Sequence, residues 1–396
     1  MCPAELVLDP YPVYRTLRER EPVTWVAALG MWWVLDHSDV VDILGDDETF
    51  TTVSADSLIL GTFGEQMLSS EGEAHKRYRR VFRPTFQSRA LRDRLEADIE
   101  RWTDQLIDGF GSGGAELRAG FAAQLPVRTM LGLFGLSEVE VPRLRRWYDA
   151  FEAALANFER SRAVVVEAEA CVAEFHALLR DGIANGGDAP GPGLLAALAG
   201  GSAMEPLSDD EICRNASIIM FGGISTVEAL ILNTIWTLAI HPDIEARVRE
   251  DLSLLPAVIE EVLRWQSPVQ SATRHAVRDV EFRGHRIRAG DTVNCMLAAA
   301  NRDPSFHADP DRFDPDRDPP PRHLTFATGP HFCLGLHLAR LEARIALARL
   351  YSRIPDLRVE APLDHRPKGF EFRQPARLHA LWGEAPQAAA CAGGTG

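Results

Sequence analysis

The stretch FATGPHFCLGLHLARLEARI, Phe326 to Ile345, sets a single cysteine, Cys333, between Gly329 and Gly335, just where a helical pattern begins. Glycines there let the backbone take positive φ or pass close to another group. From Leu336, the apolar Leu336, Ala339, Leu341, Ala343, Ile345 and Leu347 alternate with His337, Arg340, Glu342 and Arg344, which suits an amphipathic helix. Cys333 thus sits at or just before a helix N-terminus, where free N–H groups and the helix dipole favour a thiolate. A lone cysteine is ordinarily a small buried hydrophobe. A thiolate held in such a loop is a nucleophile or a metal ligand.

A nucleophile needs a base, and nothing around His331 or His337 has the local pattern of a cysteine hydrolase. The six cysteines, Cys2, Cys171, Cys213, Cys295, Cys333 and Cys391, contain no C-x-x-C, which argues against zinc and iron–sulfur sites. A metal that needs one protein thiolate remains, and this points to haem iron. The stretch resembles the haem-binding loop of the cytochrome P450 family, F-x-x-G-x-H-x-C-x-G. Phe326, Gly329, His331, Cys333 and Gly335 match in order. The resemblance implies Cys333 as the iron ligand, haem b (iron protoporphyrin IX) as cofactor, and the triangular α-rich fold of the family.

The 396 residues, 46% hydrophobic and 25% charged, are enough to bury a large core. The net charge of −15 argues against a nucleic-acid partner. The polar, proline-punctuated N-terminus MCPAELVLDPYPVYRTL does not read as a signal peptide, and no run of 18 apolar residues is present. The expectation is a cytoplasmic enzyme with reduced cysteines and no membrane span, similar to the soluble bacterial type of the family.

Helical patterns dominate from Ala90 to about Ile183 and from Ser208 to Gln266. Strand-like alternation is confined to Val23–Trp25, Met31–Leu35, Val280–Arg288 and Thr292–Met296. The fold class expected is mainly α with a small β-rich part. One domain spans residues 1–382, Gly186–Pro192 is a loop, and 383–396 form a small polar tail read as disordered.

Ser208 and Glu211 form an S-x-x-E capping box that opens a helix running to His241-Pro242. At about 1.5 Å per residue this helix is roughly 50 Å long. Its middle carries Gly222 and Gly223, each costing about 1 kcal/mol against alanine, beside Ser225 and Thr226. The family pattern here is [AG]-G-x-[DE]-T, on a helix that crosses the haem face. Gly222, Gly223 and Thr226 match, whereas Ser225 stands in the place of the acid. The resemblance implies that Thr226 helps deliver protons to dioxygen at the iron. Ser225 has no pKa suited to that supply. Glu228, two residues beyond Thr226, is expected to point elsewhere.

Glu261 and Arg264 match the family's E-x-x-R, and Arg312 in PDRF matches the third member of that buried triad. The implied role is to hold the cysteine loop. His75 and Arg79 (H-x-x-x-R), Arg274 and His331 match the residues that hold the haem propionates, and these donors suit carboxylates chemically.

Alternation along a strand places Gln270 and Ala272 on the face of Arg274. Helical spacing places Ile218 and Phe221 toward the face of Thr226, with Gly222 beside them. Phe63 falls in a segment that the family uses as a variable lid. These residues are the expected substrate pocket. None is charged, so a neutral or apolar small-molecule substrate is expected.

The leading reading is a haem-thiolate monooxygenase that takes O2. The chain contains no flavin or ferredoxin region, so its electrons come from a ferredoxin and ferredoxin reductase. The replaced acid also suits oxidative coupling, cyclisation or peroxide-driven oxidation. A non-catalytic haem protein that binds a ligand is the reading from another class, and Thr226 beside the double glycine argues against it.

Overall fold

A computed structural model describes residues 3–136, 139–157, 159–184, 194–195 and 206–383. The loop expected at Gly186–Pro192 and the tail after Gly383 lie outside them.

Ten strands are described: β1 Val23–Val26, β2 Met31–Val34, β3 Phe50–Thr51, β4 Gly113–Glu116, β5 Ala272–Ala276, β6 Val280–Phe282, β7 His285–Ile287, β8 Thr292–Cys295, β9 Arg358–Val359 and β10 His379–Trp382. They form a five-stranded sheet in the order β1-β2-β8-β5-β3, a three-stranded sheet β4-β10-β9, and the hairpin β6-β7. The expected strand Val280–Arg288 is in fact this hairpin. Arg283 and Gly284 both take positive φ, 50° and 83°, the backbone of a two-residue turn that matches strand twist.

The rest is helical. The long helix Asp209–Ala239 starts as its capping box dictates: Glu211 N–H donates to Ser208 Oγ, and Ser208 N–H donates back to Glu211 Oε2 at 2.8 Å. It ends just before His241, and Pro242 opens the next helix at a position where its missing N–H costs nothing. By length and composition it is apolar enough to cross a membrane, with mean hydropathy 1.7 over its best window, yet 78% of that window is buried in the fold. Helices Leu125–Phe134, Val141–Leu155, Arg162–Ala184, Leu255–Trp265 and Leu336–Arg353 pack around it. Their apolar faces make one large core, and two smaller ones lie against the five-stranded sheet.

Two consequences bear on the site. The long helix and the cysteine helix Leu336–Arg353 are packed neighbours, so the loop before the second faces the first. The sheet carries β5 between β8 and β3, with Arg274 opposite Val293, which fixes where that arginine lies.

Candidate active site

Cys333 N–H donates to Phe326 O at 2.9 Å and Phe332 N–H to Gly329 O at 3.1 Å, which folds the loop back on itself. Gly329 has φ +74°, and a Cβ there would run into the Leu44 carbonyl. Gly335 is the N-cap of the cysteine helix. The loop opens onto a cavity of about 1110 Å³, part of it open to solvent. Its opposite wall is the long helix.

Burial pushes the Cys333 thiol above its ordinary pKa. Backbone N–H groups of Gly335 and Leu336, with Arg79 and Arg340 nearby, pull it down by less. Burial and the helix N-terminus thus act on this thiol in opposite directions. Cys171, Cys213 and Cys295 are free, buried and away from the cavity.

The long helix divides its faces cleanly. Ile218, Gly222 and Thr226, spaced by four, line the cavity together with Gly223. Thr226 donates from Oγ1 to Gly222 O at 2.7 Å. A Cβ on Gly222 would meet nothing, whereas one on Gly223 would meet Met130 Sδ. Phe221 and Ser225, also four apart, do not line the cavity. Phe221 stacks on Tyr148 with centroids 6.0 Å apart, and Ser225 is buried beside the phenol of that tyrosine. Glu228 continues this second face, fully buried and paired with Arg118 at 2.6 Å and Arg145 at 3.5 Å.

Phe63 closes the helix Leu58–Phe63 and packs on Phe151 at 5.1 Å, and it is not a lining residue. Gln270 precedes β5 and is buried, donating to Ser267 O at 2.7 Å, so alternation from Arg274 does not extend to it. Ala272 is the first residue of β5 and does not line the cavity. Met67, Leu68, Met130 and Val269 do line it, and the sequence reading missed them. Hydrophobic residues at irregular spacing carry no signal that separates a cavity wall from a core.

Bases gather at one edge. His75 and His331 face each other with ring centroids 4.2 Å apart, and His75 Nε2 is buried with no partner. Burial, helped by His331 and Arg79, drives the His75 pKa down to about 4. His331 Nε2 lies 2.8 Å from Glu71 Oε2. Burial would raise the Glu71 carboxyl, but His331 and the Thr52 N–H outweigh it and hold the pKa at about 2. Glu71 was also missed by sequence. Arg79 donates from Nη2 to Phe332 O at 2.7 Å. Arg274 is buried, donates to Thr273 O, and bonds no carboxylate among the described residues. Burial pulls its pKa down, with Glu71 opposing from nearby.

The cysteine loop is held from behind. Arg264 makes a bidentate pair with Glu261, 2.7 Å on each arm, and donates to the carbonyls of Asn301, Pro310 and Arg312. The third member of the triad is Arg317, not the expected Arg312. The Arg312 side chain is exposed and offers only its backbone carbonyl, while Arg317 donates to Glu261 Oε1 at 2.9 Å.

The chain matches the family model "Cytochrome P450" over residues 192–354. It is 34% identical over 373 residues to the cytochrome P450 monooxygenase PikC of Streptomyces venezuelae, covering 90% of this chain and 86% of that one. This chain belongs to the cytochrome P450 family.

Other relatives agree. The P450 is 31% identical to the C-19 steroid 1alpha-hydroxylase of Sorangium cellulosum, covering 87% of each. The crystal structure of P450BioI in complex with an acyl carrier protein ligated to hexadec-9Z-enoic acid superposes with a TM-score of 0.86 at 29% identity, covering 96% of this chain and 100% of that one. The fold is therefore the P450 fold, and the protein is a P450 monooxygenase. The family carries haem, and the residues present fit it. The cavity separates a cysteine loop from a glycine-lined helix face. His75, which lines it, has an orphaned imidazole nitrogen, and Arg274, within electrostatic range of Glu71, bonds no carboxylate among the described residues; both are donors suited to anionic propionates.

Proposed function

We propose that the protein binds haem b through Cys333 and inserts one oxygen atom from O2 into a small, largely neutral organic substrate. The observation that carries this is the position of Thr226, on the cavity face of the long helix, in a cavity it shares with Cys333 and with apolar side chains. Bound haem under a thiolate ligand supplies dioxygen activation and O–O cleavage. The chain's own part is to hold and to aim. Cys333 would ligate the iron, and Phe326, Gly329 and Gly335 shape its loop. Gly222 and Gly223 keep the facing wall of the cavity free of side chains. His75, Arg79, Arg274 and His331 would hold the propionates, with Glu71 fixing the His331 ring. Thr226 Oγ1 holds a proton that it can turn from Gly222 O toward the cavity.

Ile218, Met67, Leu68 and Val269 bound the substrate space, with no charge among them. Electrons come from a separate ferredoxin and its reductase. Residues up to Trp382 act as one domain in the cytoplasm. A second reading is supported by Ser225, which replaces the family's acid and lies off the cavity. Peroxide-driven oxidation brings its two protons with the oxidant and so needs less proton supply than hydroxylation from O2; oxidative coupling is the other outcome this reading allows.

The test is a titration of the haem-loaded protein with aromatics, steroids, macrolides and acyl-carrier-bound fatty acids, following the Soret band. Turnover is then compared between ferredoxin, reductase and O2 and hydrogen peroxide alone. Oxygenated product from the first supports the proposal. Product from peroxide alone supports the second reading, and haem binding without turnover under either condition overturns both.

A further inference from the structure

A second pocket of about 950 Å³ lies between the N-terminal segment, the end of the long helix and the turn before Arg373, with no lining residue in common with the haem cavity. Its floor is aromatic. Trp236 and Trp265 are stacked 6.3 Å apart at 18°, and the Arg302 guanidinium lies 3.5 Å from the Tyr11 ring centroid and 4.7 Å from that of Trp265. Such flat, polarised surfaces favour a planar occupant.

Its charge runs against that of the chain. Arg15, Arg302, Arg366 and Arg373 line it against Asp9 and Asp311, in a protein whose net charge is −15. Asp311 is taken by Arg15 at 3.0 Å and Arg302 at 3.2 Å. Arg366 is exposed at the mouth and pairs with no carboxylate among the described residues; its Nε donates only to Leu363 O at 3.3 Å. Three buried donor atoms in the wall, Tyr11 Oη, Gln266 Nε2 and Arg373 Nε, have no partner. Unpaired donors without matching acceptors call for acceptor oxygens. The rim carries Leu8 and Leu363, the latter 64% exposed, more than any other large hydrophobic described.

We propose that this pocket binds an aromatic carboxylate, its rings on Trp236 and Trp265, its apolar edge against Leu363 and its carboxylate at Arg366. The site is adjacent to the haem cavity through the backbone. Gln266 and Arg373 line this pocket, Pro268 and Val269 line the cavity, and Arg373 N–H donates to Pro268 O at 2.9 Å.

The experiment is calorimetric titration of the haem-loaded protein with 2-naphthoate, with uncharged 2-naphthylmethanol as control, while the Soret band is followed in parallel. Arg366→Glu and Leu363→Asp sit on the surface, and their thermal midpoints verify folding. The expected result is one naphthoate per chain with no Soret shift, and affinity roughly tenfold or more lower in either variant. The proposal is overturned if naphthoate does not bind, if it binds no better than the alcohol, or if both variants bind it as tightly as the parent.

Discussion

Arg317 donates to Glu261 Oε1 at 2.9 Å from 56 residues away, on a carboxylate that Arg264 already holds by both arms. Glu261 and Arg264 have no exposure, so this is a closed ionic knot in which every oxygen has a donor. Removing one partner from such a knot leaves charge buried without compensation. Arg317→Ala should lower stability by about 2–3 kcal/mol and Arg264→Ala by about 3–5 kcal/mol. Arg312→Ala should stay within about 0.5 kcal/mol, since its side chain is exposed. Urea midpoints of the three variants check this. An equal cost for Arg312 and Arg317 would restore the assignment made from the PDRF pattern.

Gly329 is the point at which the cysteine loop touches the chain around Leu44, at φ +74° and with no room for a Cβ. Gly329→Ala combines strain with a backbone collision, neither of which a flexible neighbour can absorb. The variant should fold yet hold much less haem, because the displaced residues lie only four ahead of the ligand. The ratio of Soret to protein absorbance measures this, and a normal ratio would show that the loop position is not set there.

Glu342, on the cysteine helix, is buried beside Thr129, and its Oε1 has no partner. Burial pushes its pKa from 4.5 up to about 8. The folded chain thus holds this proton more tightly than the unfolded one. The stability is complete below pH 4.5 and is lost as pH rises through 8. The loss is on the order of 3 kcal/mol at neutral pH. Glu342→Gln keeps an acceptor for Thr129 and removes the titration. Relative to the parent it should gain stability steadily from about pH 4.5 to about pH 8 and no further above that. Parallel unfolding midpoint curves would refute the assignment.

Much of this was legible in the sequence, and the failures share a cause. The loop from Phe326 to Gly335, the capping box at Ser208 and the buried Glu261–Arg264 pair are local patterns with fixed spacing. Local spacing could not choose between Arg312 and Arg317, five residues apart in one turn-rich segment, because burial decides it. It could not show β4, whose Gly-Gly-Ala-Glu has no alternation and is a strand only because β10 pairs with it. Nor could it divide the faces of the long helix. From Val227 to Leu238 every residue is buried, so no polar stripe marks which side meets the cavity. Phe221, five residues before Thr226, turns away from it and stacks on Tyr148, although its neighbour Ile218 lines the cavity.

Thr226 lines the cavity, and Ser225 is buried beside Tyr148, one turn from Glu228. Thr226→Ala should therefore raise the share of electrons lost as hydrogen peroxide several-fold, while Ser225→Ala should leave that share unchanged. Ser225→Asp does not restore the family's acid here. It would place a carboxyl beside Tyr148 and near Glu152 and Glu228, where Arg118 and Arg145 are already paired with Glu228, and burial already raises the Glu152 pKa. An unpaired carboxylate there costs about 1–3 kcal/mol, so the variant should lose stability and gain no turnover. Peroxide released per electron consumed, measured with the thermal midpoint for all three variants, decides the matter. Faster coupled turnover in Ser225→Asp would mean that residue 225 does reach the cavity during the reaction, and that proton supply limits the parent.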